Sequence, residues 1–136
     1  MISRGAFMYY SPNLLITEYT MTPIELQKKL ETAIKATPLA ETVHFRPMFG
    51  GILGYVKDVG FVSLSDVGLA FKLAPADQDE LLLIDGAKRL QYDRTQPISK
   101  QYVVVAESIL ADDTALAAWA VRSAEYTLTL PKKKKN

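Results

Sequence analysis

The run ILGYVKDVGFVSLSDVGLAFK, residues 52–72, decides the fold class. It contains two copies of Asp-Val-Gly, at Asp58-Val59-Gly60 and Asp66-Val67-Gly68, which punctuate short stretches rich in branched and aromatic side chains. Aspartate favours the start of a turn and glycine tolerates positive φ, so residues 52–57, 61–64 and 69–73 are predicted to be successive antiparallel strands of a meander. In the last of them Leu69, Phe71 and Leu73 alternate with Ala70 and Lys72. That period of two predicts a sheet with one face on a core and the other toward solvent or a partner.

Upstream, Thr22-Pro23-Ile24-Glu25 places a capping hydroxyl, a proline at the first helical position and a carboxylate three residues after the cap, so a helix is expected over 23–36. Leu26, Leu30, Ala33 and Ile34 form its apolar stripe, and Thr37-Pro38 ends it. Downstream, Asp77-Gln78-Asp79-Glu80 repeats the capping logic and is expected to start a helix through Leu81 to Ile84, closed by Gly86. A second strand pair is expected at 89–94 and 100–105, joined around Pro97. Asp112-Asp113 then opens a last helix in which Leu116, Trp119, Ala120 and Ser123 share a face. The order α, three β, α, two β, α implies an α+β two-layer sandwich, an antiparallel sheet with helices on one side.

At 136 residues, with 49% hydrophobic and 23% charged side chains, the chain has the composition of one ordinary globular domain. The expected domain spans 22–130, preceded by an arm or extension over 1–21 and followed by a frayed tail over 131–136. No run of about 18 uncharged apolar residues occurs, so a soluble protein with no membrane contact is expected. Lysines at 132–135 supply four of the sixteen cations against fifteen carboxylates, which leaves the body mildly acidic and makes direct nucleic-acid binding by the fold unexpected. There is no cysteine, and His44 is the one histidine. A disulfide framework, a thiolate nucleophile and a zinc knuckle are thereby excluded, and the composition fits the cytoplasm.

Several residue sets invite a chemical reading. Gly50-Gly51 could form a backbone nest for an anion, but no phosphate-loop pattern follows, which favours a bulge or a close backbone approach flanked by Met48 and Phe49 as core or interface filler. His44 beside Arg46 suggests a general base or anion site, yet no second catalytic group accompanies it, and an ordinary strand residue is favoured. Arg46 could instead pair with a carboxylate across the sheet. Asp77, Asp79 and Glu80, and the pair Asp112 and Asp113, could hold a divalent cation, but capping accounts for both clusters and no calcium-loop spacing is present, so no metal or cofactor is expected. Seven tyrosines and five phenylalanines exceed the apparent need of a small core. Tyr55, Tyr92 and Tyr102, all expected on strands, therefore suggest a dimer or partner surface in preference to a base-stacking platform, because nearby cations are dispersed.

Arg46-Pro47-Met48-Phe49-Gly50-Gly51 resembles the hallmark of the TfoX/Sxy N-terminal domain family, associated with bacterial competence regulation. Tyr55, the strand at Phe61, Leu69-Ala70-Phe71-Lys72, Tyr92, Pro97-Ile98, Tyr102, Leu110-Ala111-Asp112, Leu116 and Trp119-Ala120 follow in that family's order. The resemblance implies the same sheet-and-helix layout, similar to type III secretion chaperones and often homodimeric, with Arg46, Met48, Phe49, Gly50, Gly51, Tyr55, Tyr92, Tyr102 and Trp119 as family-motif or interaction residues. Gly54 falls one place later than the family's usual glycine, which leaves the strand register there open. The full-length regulators also carry a helical C-terminal domain, whereas this chain runs into its lysine tail, so a role that needs that domain is not expected. The expected function is a non-enzymatic, homodimeric protein-interaction module in transcriptional or competence-type regulation, with a regulatory protein as a further partner. The alternative is a small-ligand binder or weak enzyme using the Gly50-Gly51 hairpin, His44 and Arg46, which requires a concave pocket lined by those residues.

Overall fold

The computed structural model describes residues 21–131; the expected tail except Pro131, and the expected arm except Met21, lie outside that range. The first helix, α1, spans Pro23–Ile34. Its capping box is complete, with Glu25 N donating to the Thr22 hydroxyl at 3.1 Å and Thr22 N donating to the Glu25 carboxylate at 2.9 Å. Leu26, Leu30, Ala33 and Ile34 are its buried stripe, as the spacing predicts. A single 3-10 turn, Pro38–Glu41, leads into the sheet.

Among the described residues six strands form one antiparallel sheet: β1 Val43–Met48, β2 Gly51–Val56, β3 Val59–Ser65, β4 Gly68–Lys72, β5 Lys88–Arg89 and β6 Tyr102–Val104, in the order β1-β2-β3-β4-β6-β5. The meander has four strands where the turn signals predict three. The extra one, β1, carries no Asp-Val-Gly before it and joins β2 through the two residues Phe49 and Gly50, with Met48 opposite Gly51. The β2–β3 turn is likewise two residues, Lys57 and Asp58, both at positive φ (47° and 69°), the geometry whose twist matches paired strands. Gly60, credited with that role from sequence, instead sits inside β3.

Gly54 faces Val62 while Tyr55 faces Gly60, so Phe61 is an extra residue in β3. This bulge buries Phe61 and Val62 together and settles the register that the shifted glycine left open. Core-facing residues of the sheet include Phe45, Val56, Leu64, Leu69, Phe71 and Val103, and they pack beneath α1 and the last helix, α4, Asp113–Thr129. At the bulge the Ser123 hydroxyl of α4 reaches the carbonyl oxygens of Phe61 (3.1 Å) and Lys72 (2.7 Å), which ties helix layer to sheet.

Three further expectations are corrected. Helix α2 is Pro75–Leu82, capped by the backbone of Ala74 with no side-chain bond, so it starts before the Asp77 cluster rather than at it; proline at the first position outweighed the acidic run. The predicted strand at 89–94 is reduced to the two residues of β5, and residues 90–101 turn back over the sheet, Leu90 N bonding Tyr102 O and Ser99 N bonding Leu90 O. Tyr92 therefore lies off the strands. A short helix, α3, Glu107–Leu110, precedes α4 and had no separate sequence signal. Asp112 does cap α4, accepting from Ala115 N at 3.1 Å.

Candidate interaction surface

Alternation along each strand sorts the sheet into two faces. On β1, Val43 and Phe45 meet the core, which sends His44, Arg46 and Met48 to the outer face. On β2 the same rule places Leu53 and Tyr55 outward, on β3 Ser63 and Ser65, on β4 Ala70 and Lys72, and on β6 Tyr102 and Val104. The outer face is not fully open to water. Ala70, Val104, Leu90, Val67 and Tyr102 make a second small apolar cluster there, because the 90–101 segment folds across it.

Strand register puts His44 opposite Tyr55, and their rings stack with centroids 5.3 Å apart and planes within 9°. The Arg46 guanidinium carbon lies 5.3 Å from the same tyrosine ring. Arg46 thus makes a cation–π contact rather than the cross-sheet carboxylate pair that its charge suggests. His44 Nε2 is 3.8 Å from a carboxylate oxygen of Asp58 in the β2–β3 turn. Tyr92 reaches in from its loop, its hydroxyl 2.9 Å from that of Ser63. Tyr102 faces Lys72, whose ammonium sits 5.7 Å from its ring centroid. Burial is the main cause that holds the Tyr102 phenol well above the usual tyrosine range, and Tyr92 and Tyr55 add to it. The three tyrosines singled out from sequence therefore share one face, although only two of them are on strands.

At the edge of this face the β1–β2 turn projects. Met48 is 48% exposed and Phe49 fully exposed, so neither fills the core. Gly50 takes φ +67° in open space, whereas a Cβ on Gly51 would stand 2.5 Å from the Leu64 carbonyl oxygen. The glycine pair therefore serves the turn and a close backbone approach. A depression of about 40 Å³ beside it is lined by Met48, Phe49, Leu53, Ser63 and Tyr92 among others. His44 and Arg46 do not line it.

Trp119 is separate from this surface. It is buried in the helix layer, with the Arg122 guanidinium carbon 4.2 Å from its ring. Arg122 also donates to Glu80 (2.7 and 3.2 Å) and to Asp77 (3.1 Å). These hydrogen bonds hold the Glu80 carboxyl below its ordinary value. The Asp77 cluster thus clamps α2 to α4 and does not cap a helix. Sequence reasoning passed over Arg122; its spacing of three from Trp119 on one helix was the available signal. Among the described residues no group of three His, Asp or Glu side chains is placed to hold a metal, and no helix is long and apolar enough to cross a membrane.

The family model of the TfoX N-terminal domain matches residues 36–126. The chain belongs to the TfoX N-terminal domain family. No curated protein and no solved structure matches it. Within this TfoX N-terminal domain the matched segment begins at the end of α1 and takes in the whole sheet and most of α4. The motif residues Arg46, Met48, Phe49, Gly50, Gly51, Tyr55, Tyr92 and Tyr102 gather on the outer face and its edge, and Trp119 anchors the opposite layer.

Proposed function

We propose that the domain is a protein-interaction module in competence-type transcriptional regulation, acting in the cytoplasm as a homodimer. Membership of the TfoX N-terminal domain family supports the regulatory part, since the family is broadly linked to competence regulation. The observation that carries the interaction part is Phe49, its whole side chain in solvent next to half-exposed Met48, at the end of the sheet's edge strand β1. Large exposed apolar side chains beside a strand that is the edge of the sheet among the described residues favour pairing with another chain. Pairing along β1 would bury that hairpin and leave the outer face of both copies accessible.

Size-exclusion chromatography with light scattering tests the dimer. A mass near twice that of the 15.1 kDa chain is expected for the natural sequence, and one near the single-chain mass for Phe49→Asp with an unchanged circular dichroism spectrum. A single-chain mass for the natural sequence over a wide concentration range overturns the dimer.

A further inference from the structure

We propose that the outer sheet face docks an acidic segment of a partner protein. The inference rests on the interaction-module reading and names the chemistry of its partner. Every Asp, Glu, His, Lys or Arg that the described strands turn to this face is one of the basic types, His44, Arg46, Lys72 and Lys88; Arg89, opposite core-facing Val103, instead donates to Gln78 of α2. The carboxylates of the described residues are on helices, turns and loops. Those nearest this face by position, Asp58, Asp66 and Asp93, lie in the connections around it, and Asp93 is engaged with Thr95. A protein of nearly balanced charge thus keeps carboxylates off the described strands of its sheet.

The cations of this face are positioned by aromatic rings, Arg46 over Tyr55 and Lys72 over Tyr102. Ordering a long side chain before association lowers the entropy cost of using it. Arginine and tyrosine are also the side chains enriched where binding energy concentrates, and half-exposed Tyr92 beside Leu53 offers apolar area between the charges.

Charge decides among the occupants. A second copy docked face to face about a two-fold axis would bring Arg46 and Lys72 toward side chains of their own sign, which opposes association. Single-stranded nucleic acid would need open ring faces. Here Tyr55 is already stacked by His44 and approached by Arg46, Tyr102 is largely buried, and Tyr92 is held by Ser63. A peptide segment with carboxylates for the cations and an apolar side chain for Tyr92 and Leu53 meets what the face presents.

A random peptide display library selected on the full chain tests this. Selected peptides should be enriched in Asp and Glu beside a leucine or aromatic residue, and their binding should weaken with salt. Arg46→Glu should weaken the best of them at least about tenfold, and lysine-for-glutamate versions of those peptides should recover binding on that variant. Arg46 is exposed, so an unchanged melting temperature is expected to show that the variant folds. Light scattering on Lys72→Glu, which lies on β4 away from the β1 edge and should also weaken the selected peptides, separates the two readings, because the dimer proposed through β1 should persist. A selected pool without acidic enrichment, or tighter binding of an oligothymidine strand than of any selected peptide, overturns the inference whatever the oligomeric state.

Discussion

At the scale of single residues, the three glycines around the β1–β2 hairpin do different work, and substitution should separate them. A Cβ on Gly51 meets the Leu64 carbonyl oxygen at 2.5 Å, and that atom belongs to the neighbouring strand's backbone. Gly51→Ala should therefore cost about 2–3 kcal/mol, the upper part of the overpacking range. On Gly54 the obstacles are side chains, Val62 at 2.5 Å and the Phe45 ring at 2.9 Å, which can turn away in part. Gly54→Ala should cost about 1–2 kcal/mol. Gly50 has open space but φ +67°, so Gly50→Ala should cost about 1 kcal/mol of backbone strain alone. Urea unfolding of the three variants gives the ranking, and a Gly50 variant less stable than the Gly51 one would contradict it. The sequence marked Gly50-Gly51 as a place of close approach; which glycine met what depended on a strand thirteen residues further on.

At the scale of elements, local chemistry was legible wherever the signal was contained within a few residues. The Thr22 capping box, the α1 stripe and the Asp112 cap formed as their spacing requires, because each needs only neighbours three or four positions away. Thr22→Ala should accordingly lower stability by about 1 kcal/mol, and Ala74→Ser, which supplies the side-chain cap that α2 lacks, should raise it by about 0.5–1 kcal/mol, both read from thermal melts. Opposite signs are the expectation; a stabilised Thr22 variant would refute the capping account. Ser123→Ala should cost about 1–3 kcal/mol, since the buried Phe61 carbonyl at the β3 bulge and the part-buried Lys72 carbonyl of β4 lose their shared hydroxyl. Strand β1 escaped the turn signals because its partner specifies it: a six-residue run containing Pro47 has weak strand character until β2 lies beside it. The acidic run before Leu81 misled for the related reason that Arg122, more than forty residues away, claims Asp77 and Glu80.

At the scale of the whole molecule, the tyrosine cluster links the outer face to global stability. The Tyr102 phenol keeps its proton in the native state at pH values where the unfolded chain has released it, because its ordinary value is about 10 and burial raises it. Its contribution is therefore intact below about pH 10 and declines as the pH rises beyond. From about pH 9 to about pH 11 the natural protein should lose about 1.4 kcal/mol more unfolding free energy than Tyr102→Phe, measured in urea at both pH values; equal losses would place Tyr102 in solvent. The sequence by itself determined the α+β class, the Thr22 and Asp112 caps, the apolar stripe of α1 and the family motif, because periodicity and capping act over a few neighbouring positions. Only the tertiary structure decided that Tyr55, Tyr92 and Tyr102 share a face, that Trp119 stands apart from them, and that the carboxylates beside α2 belong to Arg122. Those juxtapositions follow from strand order and from a loop folding back across the sheet, and contacts between distant residues leave no local pattern to read.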